Sequence, residues 1–328
     1  VRVLTITIFY ANVNHKYKQN KHLKKRAKMS LAETAPTIER QKPDSHVLFM
    51  QKTDEVVESL KRTPSLFELK RSGATTKEAV EYTALTLSDS EDLGYSESQK
   101  NILGVIGHLG SFVTAQRRAD ELGSKRNEGQ LNQDERSEMD YLKNYDLIPF
   151  NHAIKDLINT DSSLTKDQLD VSLARLYMKL FYKDDPVVTQ ADTDGIHDLN
   201  FRTAVSKDAL NSISISTNGM RHEVAAESML AVAGIDCDYH TSAQEDAKGA
   251  DLFVYINDKW TYIDIKSSEL SADKALAKRG DSHAVWTGLN PSSFTGAKDD
   301  QVNGIRLSDN EARKHADAFA KRIYAVAH

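Results

Sequence analysis

Two short runs rich in β-branched and aromatic residues, Asp251–Ile256 (DLFVYI) and Trp260–Ile265 (WTYIDI), flank Asn257-Asp258-Lys259. A tight-turn sequence between two such runs predicts a β-hairpin. This feature constrains the chain most, because its other strongly periodic segments are helical and any large sheet must grow around the hairpin. Side chains alternate along a strand. Trp260, Tyr262, Asp264 and Lys266 therefore share one face, while Ile263 and Ile265 point the other way into a core.

Upstream, helical signals run from Thr53–Lys61 to about residue 183. Thr75-x-x-Glu78, Ser96-x-x-Gln99 and Thr165-x-x-Gln168 are capping boxes, in which a hydroxyl takes an orphan helix N–H and the later side chain reaches back. The second helix is expected to end near Leu122. The third carries Leu169, Leu173, Leu176, Tyr177 and Leu180 on one face. Gly104, Gly107 and Gly110 lack the strand and spacing of a dinucleotide fingerprint and read as close helix packing. The polar segment 123–136 reads as a loop, and 148–183 has room for a helix-turn-helix. No period indicates solenoid repeats.

A chain of 328 residues predicts two domains. The expected division is a basic leader or arm over 1–28, a helical domain over 29–183, a linker over 184–215 and an α/β domain over 216–328. The linker rests on the Asp-, Ser-, Thr- and Asn-rich composition of 184–219. Within it, Asp192-Thr-Asp194-Gly195 fails as a calcium loop, since Gln190 and Phe201 fall where carboxylate ligands belong, and reads as a turn.

Charge is uneven. Residues 1–28 hold eight Lys or Arg and no acid, so the remainder has 35 basic and 48 acidic residues. The arm suits phosphate contacts, or is an unfolded leader before Met29; its charges follow the apolar stretch, which argues against a secretory signal. The acidic remainder weakens any claim of broad nucleic-acid affinity. No apolar run approaches a membrane span. The one cysteine, Cys237, rules out an internal disulfide and a multi-cysteine zinc site. It is expected to pack, in a reducing, cytoplasmic setting.

The chemistry concentrates at the hairpin. Asp264 and Lys266 lie two residues apart on one face, and Asp251 opens the paired strand. A helix from about Met220 to Ala233, stopped by Gly234, precedes them and carries Glu223 and Glu227 four residues apart on one face. Charges clustered in an apolar hairpin need partners or a metal, and converging carboxylates suit magnesium, with manganese substituting. On this reading Mg2+ bridges Asp251, Asp264, the Ile265 carbonyl and a scissile phosphate, and acidifies a bound water. Lys266 positions that water or donates to the phosphate. The competing reading is an exposed hairpin face with Asp264 and Lys266 paired in water. His222 and His240 read as surface histidines; Ser267 and Ser268 read as phosphate contacts or turn residues.

Glu223 in a helix, Gly249-Ala250-Asp251, and Asp264-Ile265-Lys266 at the end of a hydrophobic strand together resemble the PD-(D/E)xK nuclease superfamily. The resemblance covers 216–328. It implies a restriction-endonuclease-like αβββαβ core, a mixed sheet flanked by helices, joined to a mainly α-helical N-terminal domain. It further implies Mg2+-dependent cleavage of DNA by Asp251, Asp264, Lys266 and Glu223. Glu223 is preferred to Glu227 because Gly219-x-x-x-Glu223 and the eleven-residue step to Gly234 resemble that family's helix. Ala250 stands where proline is common, and Asp264 where glutamate is. A helix over Ser271–Lys278, a strand over Ala284–Thr287 and a final helix capped by Ser308-x-x-Glu311, with Phe319, Ile323 and Tyr324 inward, complete the expected order.

Three functions compete: a DNA-cleaving enzyme, as a monomer or a homodimer; an inactive nucleic-acid-binding or structural protein on the same fold; and an RNA-cleaving nuclease or toxin. The last ranks lower because no aromatic RNA-recognition strand is visible.

Overall fold

All three predicted capping boxes form in the computed structural model of the chain. It describes residues 44–161, 164–193, 199–238, 250–279, 283–289, 301–302, 305–306 and 309–326. The expectations for the 1–28 arm, the Asp194-Gly195 turn, His240, Gly249 and the Ser308 cap lie outside these residues. All described residues fall in one compact unit, Pro43–His328.

Helices α1 (Ser45–Arg62), α2 (Pro64–Arg71), α3 (Thr76–Ser88), α4 (Glu97–Asn127), α5 (Gln133–Leu142), α6 (Ile148–Thr160), α7 (Lys166–Leu180), α8 (Pro186–Thr193) and α9 (Leu199–Ala233) form a helical body. Thr75, Ser96 and Thr165 each receive an N–H from the residue three positions on, and that residue's side chain accepts the cap N–H in return. Leu169, Leu173, Leu176 and Tyr177 are buried as their spacing requires, in one core with Phe49, Ile106, Phe112 and Phe150. Phe112 and Phe150 stack with ring centroids 3.8 Å apart. Close packing accounts for two of the three glycines. A Cβ on Gly107 would stand 2.4 Å from Leu85 Cγ, and one on Gly110 would stand 2.9 Å from both Glu81 Oε1 and Phe181 Cδ1.

Two polar segments are more ordered than their composition suggests. In 123–136, expected as a loop, α4 continues to Asn127 and a fourth capping box, Asn132 with Glu135, opens α5. Over the expected 184–215 linker, α8 is followed by the 35-residue α9. Val205, Ala209 and Ile213, spaced by four, are buried in the body's core, with Ser212, Ser216 and Thr217 buried alongside. Small hydroxyl side chains take little room, so this face lies close to its neighbours. Tertiary burial overrides their modest helix propensity. The helix runs on without interruption through Met220–Ala233, where the shorter helix was expected.

Gly234, at φ 71°, ends α9. Its N–H bonds to Ala231 O and the Ile235 N–H bonds to Leu230 O, the paired contacts of a Schellman cap. A four-stranded mixed sheet follows: β1 (Cys237–Asp238), β2 (Leu252–Ile256), β3 (Lys259–Lys266) and β4 (Ala284–Trp286), in that spatial order. The first two pairings are antiparallel, and β3 with β4 is parallel. The hairpin turn is shorter than expected. Asn257 and Asp258 take φ 51° and 59°, as a two-residue type I′ turn demands, and Lys259 already pairs with Ile256. Helix α10 (Glu269–Arg279) lies between β3 and β4, a two-stranded ribbon β5 (Gln301–Val302) with β6 (Ile305–Arg306) follows, and α11 (Asp309–Val326) comes last.

One sheet face meets α9 and α11. Leu252, Val254, Ile263, Ile265 and Val285 pack there with Ala225, Met229, Leu230, Phe319 and Ile323. Tyr324, expected inward, is 41% exposed, and Val232 is also exposed. Cys237 packs against the edge of this core. The architecture is thus a helical body joined by one long helix to a small α/β region.

Candidate functional site

Asp251 immediately precedes β2, and its N–H bonds to Ile263 O, so the hairpin ladder fixes its backbone. Its Oδ2 accepts the Ile265 N–H at 2.6 Å. Asp264 is on the sheet face opposite the Ile263 and Ile265 side chains. It is only 1% exposed and accepts a hydrogen bond from Lys266 Nζ. Lys266 is partly open to solvent. The pairing expected in water on an exposed face is therefore found with its carboxylate buried.

Glu223 comes from α9, on the same helix face as Glu227. Glu223 accepts a hydrogen bond from Lys155 Nζ of α6 at 3.2 Å, and Glu227 forms an ion pair with the same ammonium at 2.5 Å. Lys155 is 5% exposed. Burial opposes its charge, but the two glutamates outweigh burial and hold it protonated.

The predicted residues act on one another. Burial raises the Asp251 carboxyl well above the ordinary carboxylate range, and the charges of Glu223 and Asp264 raise it further, against the lowering effects of Lys266 and the Ile265 N–H. A helix, the start of one strand and the end of the next thus bring Glu223, Asp251, Asp264 and Lys266 into one electrostatic cluster. Of the two helix glutamates, Glu223 is the one among the larger influences on Asp251. Ile265 supplies its N–H to Asp251 and buries its side chain in the core.

The donor set, three carboxylates with concentrated negative charge, suits a hard divalent cation in chemical type, and such a cation would relieve the repulsion that raises Asp251. Among the described residues, no three His, Cys, Asp or Glu side chains converge into a ready metal-binding group. Each acid is engaged, with Lys155, the Ile265 N–H or Lys266.

His222, expected at the surface, is 1% exposed. Its Nδ1 lies 2.8 Å from Thr287 Oγ1, just past β4, and burial lowers its pKa to about 4, so the ring is neutral at pH 7. It ties α9 to the end of β4, whose Thr287 N–H also bonds to Lys266 O. Ser268 caps α10 through its bond from the Ser271 N–H. Lys155 had no sequence signal, since a lysine in an amphipathic helix ordinarily faces water. A separate open cleft of about 360 Å³ lies in the helical body, lined by Arg126, Gly129, Leu131, Arg136, Met139 and Asp140. None of the candidate residues lines it.

No protein-family model, curated protein or solved structure matches this chain significantly.

Proposed function

We propose that this chain is a metal-dependent nuclease that hydrolyses DNA phosphodiester bonds, with its catalytic residues in the α/β region. One observation carries the reading: Asp251 accepts the Ile265 N–H at 2.6 Å, which brings it to Asp264 and Lys266, themselves hydrogen-bonded, and the charge of Glu223 is among those that raise its carboxyl. These are the residues that the PD-(D/E)xK resemblance singles out. The order α9, β1, β2, β3, α10, β4 and the mixed sheet support it as well.

Asp251 and Asp264 would hold Mg2+, with Glu223 and the Ile265 carbonyl as further oxygen donors. The bound ion would acidify a water and stabilise charge on the phosphate. Lys266 is bonded to the buried Asp264 and partly open to solvent, and on this reading its ammonium would hold a phosphate oxygen. The Ile265 N–H fixes one oxygen of Asp251, which would limit the reorganisation of that carboxylate if it took up a cation.

The test is incubation of plasmid DNA, single-stranded DNA and RNA with the full chain in magnesium, manganese and EDTA, beside Lys266→Ala and Asp264→Asn. Metal-dependent cutting of DNA, lost in both variants, is the expected result. Wild-type cutting by D264N would sink the assignment, and cutting of RNA alone would move the substrate.

A second reading has its own observation. Lys266 pairs with Asp264, and Lys155 pairs with both Glu223 and Glu227. A cluster whose acids already have partners within the chain can serve folding alone, as in an inactive binding or structural protein. That reading predicts no rise in Tm with manganese, whereas a ligand bound by the native state raises it. Among the described residues no helix is long and apolar enough to cross a membrane.

A further inference from the structure

We propose that the hairpin face opposite the core is a stacking platform for the unpaired bases of single-stranded DNA, leading towards Asp264 and Lys266. The choice of DNA rests on the nuclease reading; the platform rests on the sheet alone.

The register sets Phe253 opposite Tyr262 and Tyr255 opposite Trp260. Directly paired residues share a sheet face. All four aromatic side chains of β2 and β3 are therefore on the face of Asp264 and Lys266. The core on the other face takes only Leu252, Val254, Ile256, Ile263 and Ile265 from these strands, so none of the rings is spent on it. Trp260 is 54% exposed and Tyr255 41%, and their ring centroids are 5.4 Å apart. On β4, Trp286 pairs with Lys266, which extends the aromatic face across the sheet to the candidate site. Arg322 of α11 lies over the Trp286 ring, 5.2 Å from its centroid.

Open rings followed by cations suit bases followed by phosphates. Asp238, opposite Phe253, and Asp264, bonded to Lys266, offset those cations, so the rings carry more of the affinity than the phosphates do. Side chains on one face of a strand repeat about every 6.6 Å. That is roughly twice the ~3.4 Å step along one strand of a duplex. Bases stacked on one another cannot each meet a ring at that spacing, so the strand that fits is unpaired and extended.

The test is equilibrium binding in EDTA, which stops metal-dependent cleavage. The probes are a short fluorescein-labelled oligothymidylate, the matching RNA oligomer and a DNA duplex of the same length. Full-length wild type is compared with Tyr255→Thr/Trp260→Thr, which keeps β-branched side chains suited to a strand, and with Trp260→Phe, which keeps a ring. The chain has two tryptophans, and both are on this face. Indole fluorescence thus reads ring contact directly, and Trp286→Phe leaves Trp260 as the reporter.

Loss of a stacking ring is expected to weaken single-strand binding by at least about fivefold in the folded double variant. Duplex binding should stay unchanged, W260F should stay near wild type, and oligothymidylate should quench Trp260 in W286F. If the double variant does not fold, that quenching decides the question. Wild-type affinity in a folded double variant, or an unquenched Trp260, overturns the platform and assigns the rings to hairpin stability alone. An equal loss for the duplex, or binding of RNA alone, overturns single-stranded DNA as the occupant. Metal-dependent cleavage without ring-dependent binding leaves the nuclease reading standing. Ring-dependent binding with no cleavage by the wild type overturns that reading and leaves the platform.

Discussion

The Asp251 carboxylate accepts the backbone N–H of Ile265 at 2.6 Å, across 14 residues of chain. One hydrogen bond thereby couples the start of β2 to the residue between Asp264 and Lys266, and sets the spacing of the two acids.

Asp251→Asn keeps an oxygen for that N–H while removing a buried charge. The Asp251 carboxyl is raised by burial, Glu223 and Asp264, so the ionised form destabilises the native state at neutral pH without metal. Metal-free D251N should melt at or above the wild-type temperature and lose metal-dependent cleavage. A clearly lower Tm, by circular dichroism, would contradict the charge argument.

Glu81 gives a pH dependence of definite sign. Burial raises its carboxyl to about 7, against the Ser111 N–H at 2.6 Å and Oγ at 2.7 Å. Its folded pKa lies above its unfolded one, so its contribution to stability is fullest below the unfolded value. That contribution falls as pH rises from about 4.5 to about 7, and is lost above that. The wild type minus Glu81→Gln difference in unfolding free energy should fall by up to roughly 3 kcal/mol across this window and stay flat above it. Urea titrations at intervals of pH check this, and a difference that rises with pH refutes it. The subtraction matters because His108, lowered to about 4 by burial and by His152, loses stability in acid.

Gly107 and Gly104 should separate packing from propensity. At Gly107 an added methyl meets Leu85 at 2.4 Å, whereas at Gly104 the nearest atom is Ser88 Oγ at 3.6 Å. Gly107→Ala is expected to cost about 1–3 kcal/mol by overpacking, offset by up to ~1 kcal/mol of helix propensity. Gly104→Ala should be neutral or stabilising by about 0.4–1 kcal/mol. Equal effects in denaturant unfolding would show that the close approach of α3 and α4 does not restrain position 107.

The turn offers a gain. Asp258 at φ 59° occupies the second central position of a type I′ turn, which favours glycine. Asp258→Gly should raise stability by about 0.5–1 kcal/mol, measured as a higher urea midpoint with unchanged slope. A lower midpoint would mean the aspartate side chain contributes more than its backbone conformation costs.

Local signals were legible in the sequence. Capping boxes at Thr75, Ser96 and Thr165, the helix stop at Gly234, the hairpin around Asn257-Asp258 and the shared face of Tyr262, Asp264 and Lys266 all depend on neighbours within a few residues. Their hydrogen bonds and side-chain alternation are therefore written in short spacings. The Asn132 box and the Val205, Ala209, Ile213 stripe were equally local, but polar composition hid them.

Other features depended on partners distant in sequence. Burial of Lys155 between two glutamates, burial of His222 against Thr287, exposure of Tyr324 and the uninterrupted length of α9 follow from which surfaces meet. The sequence alone determined where helices and the hairpin start and which acids and lysine share a strand face. Tertiary packing decided which charges leave water and which lysine accompanies them, because desolvation and Coulombic pairing are set by elements brought together only in the folded chain.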